Sequence, residues 1–331
     1  MVRAPYVFLV PFCLPLLAGA APVKKEPEVP GLIKSYVGHD GAVHGVDFSP
    51  DGKKLYSVGD DKTIRVWDLL NDKKHAIIGD KLKYKCSFIE IADKPATMKG
   101  FFTDGGLAPD RLTHWDLASK SAVRAFADFR TVRSMALSPD GKYLVCGSGD
   151  SKFLVWDANS GAKILDYDAK QPAVTGAAIS NDGKRVACTT DGDGSIRVWE
   201  LASKKIIWKH KPSDTEPPIH ALRFTHDGKA ILAADGVGSV RIHDIDGKEQ
   251  SVELKCHTMR INSLDVTRDG DFFVTGSQDK SLKVFDMKTH KELLEFKHSG
   301  EVFRARFSPD GRRVASCSKD EAVTLWNLGR E

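Results

Sequence analysis

The sequence has little of what marks a specialised chain. Aromatic residues make up only 8% of it, and six cysteines are scattered over 331 residues without any C-x-x-C spacing. A disulfide-stapled scaffold is thereby excluded. Charge is nearly balanced, with 49 basic against 45 acidic residues and a net charge of +4, so no bias toward a polyanion is present. No long apolar run occurs beyond the first twenty residues, which excludes a polytopic membrane protein. No glycine-rich phosphate loop opens a helix, and no long amphipathic helix can be traced. Hydrophobic residues still reach 41%, too many for a disordered chain, and glycine lacks the strict period of collagen. What is present is a bias around tryptophan. Five of the six Trp are followed at once by Asp, Glu or Asn, and an internal repeat accounts for that better than chance.

The first twenty residues read as an address. Arg3 is the sole early charge, residues 4–17 (APYVFLVPFCLPLL) carry none, and Ala18-Gly19-Ala20 places small residues at a cleavage site. That layout predicts a cleaved signal peptide over 1–20 and an exported, periplasmic or secreted protein. The run is shorter than the roughly 20 apolar residues a span needs, and Pro5, Pro11 and Pro15 break it. Phe12 before Cys13 argues against a lipid anchor. Residues 21–30 (APVKKEPEVP) form a charged, Pro-rich tether.

Beyond residue 30 the chain repeats itself. Asp-Gly pairs at 51, 140, 182, 227, 269 and 310 each close a short alternating apolar run. Glycine suits such a turn because it adopts positive φ without a Cβ clash. Twelve residues before three of these Asp lies a His (His39, His257, His298), ten residues after lies another Asp (Asp61, Asp279, Asp320), and six further an aromatic (Trp67, Phe285, Trp326). Asp150–Trp156 and Asp193–Trp199 keep the last step, with Asp128 and Lys170 in the His places. A fifth copy has Val237 in the acid place and His243 in the Trp place. The second, starting from a strand over Cys86–Ala92, has lost its Asp-Gly turn and is swollen at Gly105–Pro109. The period is 41 to 46 residues, found seven times, with units entering near 39, 82, 128, 170, 215, 257 and 298.

Each unit reads as four short antiparallel strands, as in Val43–Phe48, Lys54–Val58, Thr63–Trp67 and Lys74–Ile78. Such a unit cannot bury both faces alone and must stack between neighbours. The prediction is an all-β fold, a single domain over 31–331. The chain ends in a third strand at Trp326-Asn327-Leu328, and the unused strand pattern Leu32–Val37 is expected to close the ring from the N-terminal side.

These residues resemble the WD40 repeat family, over almost all of 31–329. The resemblance implies a seven-bladed β-propeller. It also implies a hydrogen-bonded structural chain of His, turn Asp, second-strand Ser or Thr, and Trp. Here that is His39, Asp61, Ser57 and Trp67; His298, Asp320, Ser316 and Trp326; and, truncated, His257, Asp279 and Thr275, since Phe285 has no N–H. Recurrence in three units favours structure over a catalytic triad, so no catalytic residues are expected and the protein is expected not to be an enzyme.

The resemblance further implies a scaffold that binds a protein or peptide partner on the top face around the central channel. By register that face offers Ala42, His44 and Asp60; Ser87; Thr131, Arg133 and Gly149; Ala173, Thr175 and Gly192; Pro218 and His220; Arg260, Asn262 and Gln278; Glu301, Phe303 and Lys319. Arg133, Arg260 and Phe303, the last expected to be exposed, stand out as interface anchors. The alternative is an exported propeller enzyme, a lactonase or dehydrogenase, with His44 and His220 near Asp60 and Glu301; blades one and five are not neighbours, which opposes shared metal ligation. No cofactor or metal is expected. Basic residues are spread over all units, which disfavours nucleic acid. A monomer, with no membrane contact after signal cleavage, is expected, and Cys86, Cys146, Cys188, Cys256 and Cys317 read as small buried fillers.

Overall fold

In a computed structural model the described residues are 30–71, 75–78, 85–92, 99–104, 111–213, 216–247 and 251–330. The leader, most of the tether and the blade entries near 82 and 215 lie outside them. Among the described residues every regular element is a β-strand, and the strands form seven four-stranded antiparallel sheets. The innermost strands are Val43–Phe48, Ile89–Ile91, Val132–Leu137, Val174–Ile179, Ile219–Phe224, Ile261–Val266 and Val302–Phe307. Each touches the innermost strand of the next sheet, and the last touches the first, so the sheets stand as blades of a closed β-propeller. In blade two the inner strand is only Ile89–Ile91, shorter than the Cys86–Ala92 expected from the sequence.

The loop after each innermost strand explains the Asp-Gly pairs. In blade one the Ser49 hydroxyl donates to Asp51 Oδ1 at 2.6 Å, the Lys53 N–H donates to the same oxygen at 3.1 Å, and the Gly52 N–H donates to the Ser49 carbonyl at 2.9 Å. Gly52 sits at φ +66°, and its five counterparts lie between +66° and +80°. An L side chain is strained there, which is why glycine follows each of these Asp.

The residue after Trp has an equally local cause. Asp68 Oδ1 accepts the N–H groups of Leu70 and Asn71 at 2.9 and 3.1 Å, and Asp157 does the same for Asn159 and Ser160. Asp116 and Asp286 repeat the arrangement, while Asn327 accepts from Gly329. The side chain mimics a backbone turn and captures donors the strand has left behind. The preceding Trp67, Trp156, Trp199 and Trp326 turn the other way and are buried between blades.

Blade seven is assembled from both ends of the ring. Its sheet order is Gly31–Val37, Ala322–Asn327, Arg313–Ser318, Val302–Phe307, with Gly31 opposite Asn327 and Val37 opposite Ala322. The N-terminal strand therefore closes the ring, as its unused pattern predicted.

Candidate functional site

The polar chains within the blades decide which His and Asp are available for chemistry. His39 lies 2.9 Å from Asp61 through Nδ1 and 2.7 Å from Ser57 Oγ through Nε2, and the Trp67 indole N–H donates to Ser57 Oγ at 2.8 Å. In blade seven the same links join His298 to Asp320 at 3.1 Å, His298 to Ser316 at 2.7 Å, and Trp326 to Ser316 at 2.7 Å. His257 meets Asp279 at 2.9 Å and Thr275 at 2.7 Å, while Phe285 stacks on Phe273 in place of an indole bond. Burial lowers the His39 and His257 pKa values, so both rings are neutral at neutral pH. Burial also pushes Asp61 upward, but bonds from His39 and Thr63 outweigh it and hold the carboxyl below its ordinary range. The hydroxyl oxygens belong to residues with 0% exposure, at Ser57, Thr275 and Ser316. A nucleophile must reach its substrate, and these face only their own chain.

The other blades make different arrangements. Asp128 stands in a His place, has positive φ and pairs with Lys163 at 2.8 Å; Lys170, in the next, has positive φ as well. Asp193 is pulled down to about 2: burial opposes ionisation, but Thr190, Ser195 and Arg197 overcome it. In blade five the sequence put Val237 in the acid place. The structure gives that work to buried Asp235, two residues earlier, which accepts the N–H groups of Val237 and Ser239 at 3.0 and 2.8 Å and pairs with Arg241 at 3.1 Å. Asp235 ends the second strand, where other blades carry the buried hydroxyls of Ser148, Thr190, Ser277 and Ser318. His243, in the Trp place, is buried with Nε2 lacking any hydrogen-bond partner.

At one end of the channel lies a cavity of about 770 Å³. It is lined by ten of the residues expected by register: His44, Ser87, Thr131, Arg133, Ala173, Thr175, His220, Arg260, Asn262 and Phe303. The remaining eight sit on the surrounding loops, and several fasten those loops together. The N–H groups of Asp60, Gly149, Gln278 and Lys319 donate to the carbonyls of Ala42, Thr131, Arg260 and Glu301 at 2.8 to 3.0 Å. In blade four the donor is Asp191, bonding Ala173, and not Gly192; in blade five Gly236 bonds Pro218. The extra residue in Asp191-Gly192-Asp193-Gly194 shifted the register, so the sequence reading missed Asp191, which lines the cavity.

Several residues expected to be available are already engaged. Thr175 Oγ1 donates to the Ile219 carbonyl and Asn262 Nδ2 to the Val302 carbonyl, each at 2.9 Å, stitching one blade to the next. His44 and Asp60 meet at 2.9 Å, Asp60 also pairs with Lys85, and Glu301 faces Lys319 at 3.6 Å. Phe303, expected to be exposed, is half-buried with its ring 4.8 Å from that of His44. Among the described residues no group of three or more His, Cys, Asp or Glu is placed to hold a metal. Cys86, Cys146, Cys188, Cys256 and Cys317 are buried free thiols, and burial pushes Cys256 up to about 12.

Below the cavity the channel is crossed by a charged belt that the sequence reading did not find. Glu90 receives Nη2 of both Arg304 and Arg306; Arg306 reaches Asp265 at 3.5 Å, and Arg223 reaches Asp265 at 2.8 Å. Asp265 Oδ2 also accepts the Phe307 N–H at 2.9 Å, and Asp47 Oδ2 accepts the Ile91 N–H at 2.7 Å. A smaller cavity of about 360 Å³ opens on the opposite side, lined by Asp47, Glu90, Asp265 and Arg306 and by the loops at Pro139 and Pro309. The only sequence signal was charge on inward positions of inner strands, Asp47, Glu90, Arg223, Asp265, Arg304 and Arg306, which alternation alone assigns to loops or solvent.

A family profile described as WD domain, G-beta repeat (WD40) matches residues 31–68, 123–157, 162–200, 248–286 and 290–327, more than half of the chain. The chain belongs to the WD40 repeat family. Blades two and five, where the motif is most eroded, fall largely between the matches. The WD repeat-containing protein WDS homolog of Arabidopsis thaliana is 26% identical over 90% of this chain and 58% of its own length. Rattus norvegicus apoptotic protease-activating factor 1 is 24% identical over 88% of this chain and 22% of itself, and the Gallus gallus serine-threonine kinase receptor-associated protein 23% over 92% and 72%. This WD40 chain thus spans little more than half of the first of these relatives and under a quarter of the second.

Proposed function

We propose that this WD40 protein is a non-catalytic scaffold that binds a protein or peptide partner at the cavity end of its channel, with Arg133, Arg260 and Phe303 as anchors. The carrying observation is the contrast between two sets of polar groups. The His, Asp and Ser side chains that resemble catalytic machinery are spent on one another inside the blades, whereas Arg133 and Arg260 are exposed and, among the described residues, have no ion-pair partner. Guanidinium groups at a concave mouth are strong interface anchors. The half-buried Phe303 supplies an apolar wall beside them. A triple Arg133→Ala, Arg260→Ala, Phe303→Ala variant is expected to lose the partners that the wild type captures by crosslinking in its native cell; retention of the same set overturns the assignment.

The chain acts as a monomer and is exported after removal of residues 1–20 in this reading. N-terminal sequencing of the mature protein is expected to start near Ala21, and a start at Met1 overturns export.

A further inference from the structure

We propose that the channel mouth takes a carboxylate side chain of an acidic peptide, clamped between Arg133 and Arg260 above Arg304. The inference rests on the partner-binding reading and adds the chemistry of the partner.

The charge balance around the cavity is uneven. Arg133, Arg260, Arg223, Arg304 and Arg306 all line it, with Asp191 as the lining carboxylate. Glu90 and Asp265 approach from beneath and are engaged by Arg223, Arg304 and Arg306. Glu301 also acts on Arg260 and Asp47 on Arg304 and Arg306, so the unevenness lies in the pairing: of the five guanidinium groups, Arg133 and Arg260 alone make no ion pair among the described residues. Arg133 and Arg260 act on each other as like charges: burial lowers the Arg260 pKa first, Asp191 opposes that, Arg133 adds to the lowering and Glu301 opposes it. An anion placed between them removes that repulsion. The field of both is focused by the walls of a concave site.

Donor geometry points the same way. Arg304 Nε is buried and has no hydrogen-bond partner, although the same guanidinium binds Glu90 through Nη2. An unsatisfied buried donor is costly, and a carboxylate oxygen is the acceptor that satisfies a guanidinium best. His220, beside Arg260, is pushed down to about 4 by burial and by that arginine, so at neutral pH it is an uncharged hydrogen-bonding group and adds no further cation. Asp191 on the same wall disfavours a second negative charge, which selects a monoanionic carboxylate over a phosphate dianion. A cavity of about 770 Å³ flanked by half-buried Phe303 is far larger than a free carboxylate ion needs, and fits a side chain delivered by a peptide.

The test is selection of displayed random octapeptides on the full chain and on the Arg133→Ala/Arg260→Ala variant. Fluorescence anisotropy then follows on a selected octamer, its Glu→Gln or Asp→Asn form and its phosphoserine form. The wild type is expected to enrich octamers with one acidic position, and either the amide form or the double variant is expected to bind at least tenfold more weakly, with an unchanged melting temperature. Because both arginines are exposed and outside ion pairs, an Arg133→Lys/Arg260→Lys variant serves as a second check and is expected to retain part of the affinity. Octamers enriched without acidic residues, or acidic enrichment that survives the double Ala variant, overturn the inference and leave the scaffold reading standing. Tighter binding of the phosphoserine form overturns the choice of carboxylate. Failure of the folded wild type to enrich any octamer overturns the inference as well, while the scaffold reading stands or falls on the crosslinking test.

Discussion

Tyr36, on the strand that completes blade seven, places its ring 5.5 Å from that of Trp67 in blade one. One side chain thus joins the closing strand to the blade that follows it around the ring. Tyr36, Val43, Val46, Phe48, Trp67, Val323 and Leu325 share one buried cluster. Tyr36→Ala is expected to destabilise the protein by about 3 kcal/mol, in the range of a buried aromatic truncation. Removal of residues up to Val37 is expected to cost more, because it also deletes the Gly31–Val37 ladder and exposes the Ala322–Asn327 edge. Urea unfolding of both variants measures this; equal stability of truncated and full-length chains contradicts it.

The Ser316 hydroxyl holds both His298 Nε2 and the Trp326 indole N–H, each at 2.7 Å. Ser316→Ala leaves two buried groups without their partner, and the expected loss is about 2–6 kcal/mol, from roughly 1–3 kcal/mol for each orphaned group. Ser57→Ala in blade one is expected to behave alike. Thr275→Ala is expected to lose less by this route, since Phe285 makes no bond to it. Thermal melts of the three variants rank them.

His243 stands where other blades carry an aromatic, and its buried Nε2 has no partner. Burial, then the neighbouring His210, pushes its pKa down to about 4 from 6.5. Its native value lies below its unfolded value, so its contribution is intact above pH 6.5 and is lost as pH falls from 6.5 toward 4. His243→Phe removes the orphaned nitrogen and the titration together, and gives up only the Nδ1 contact with the hydroxyl of the exposed Ser251 at 2.9 Å. The variant is expected to be more stable by about 1 kcal/mol at pH 7, with the gap widening at pH 5. Denaturant midpoints at the two pH values check the sign.

Asp47 moves in the opposite direction. Burial, against the favourable field of Arg306 and with Glu90 adding to the rise, lifts its carboxyl to about 7. The folded state holds this proton more tightly than the unfolded state, so the group's contribution is full below pH about 4 and falls away as pH rises toward 7. Asp47→Asn keeps an oxygen to accept the Ile91 N–H, loses the acceptor of the Phe48 N–H at 2.9 Å, and removes the ionisation. Relative to wild type, the variant is expected to gain stability at pH 7.5 and to gain none at pH 4. Paired urea titrations at both values decide it.

The scaffold of this WD40 chain was legible because its determinants are local. Positive φ after the Asp of each Asp-Gly pair favours glycine, and the donors left by the third strands call for Asp or Asn after Trp. The His, Ser, Asp and Trp of one polar chain lie within thirty residues of sequence, so their fixed offsets survive as a readable period. The leftover strand pattern at Leu32–Val37 could be assigned because the last unit supplied only three strands of its own.

Asp191, Asp235 and the belt around Glu90 were not legible, and the reason is physical. A one-residue insertion before Asp193 moved Asp191 off the repeat spacing, and in blade five the working carboxylate sits at the end of the second strand, two residues before Val237. Glu90 and Arg304 are more than two hundred residues apart and meet because ring closure leaves only blade one between blade seven and blade two around the same narrow channel. The sequence alone determined which residues build the blades, since each blade is specified by neighbours along the chain. Which charges stay unpaired at the channel mouth was decided only by tertiary structure, because that depends on which carboxylates other blades deliver to the same cavity.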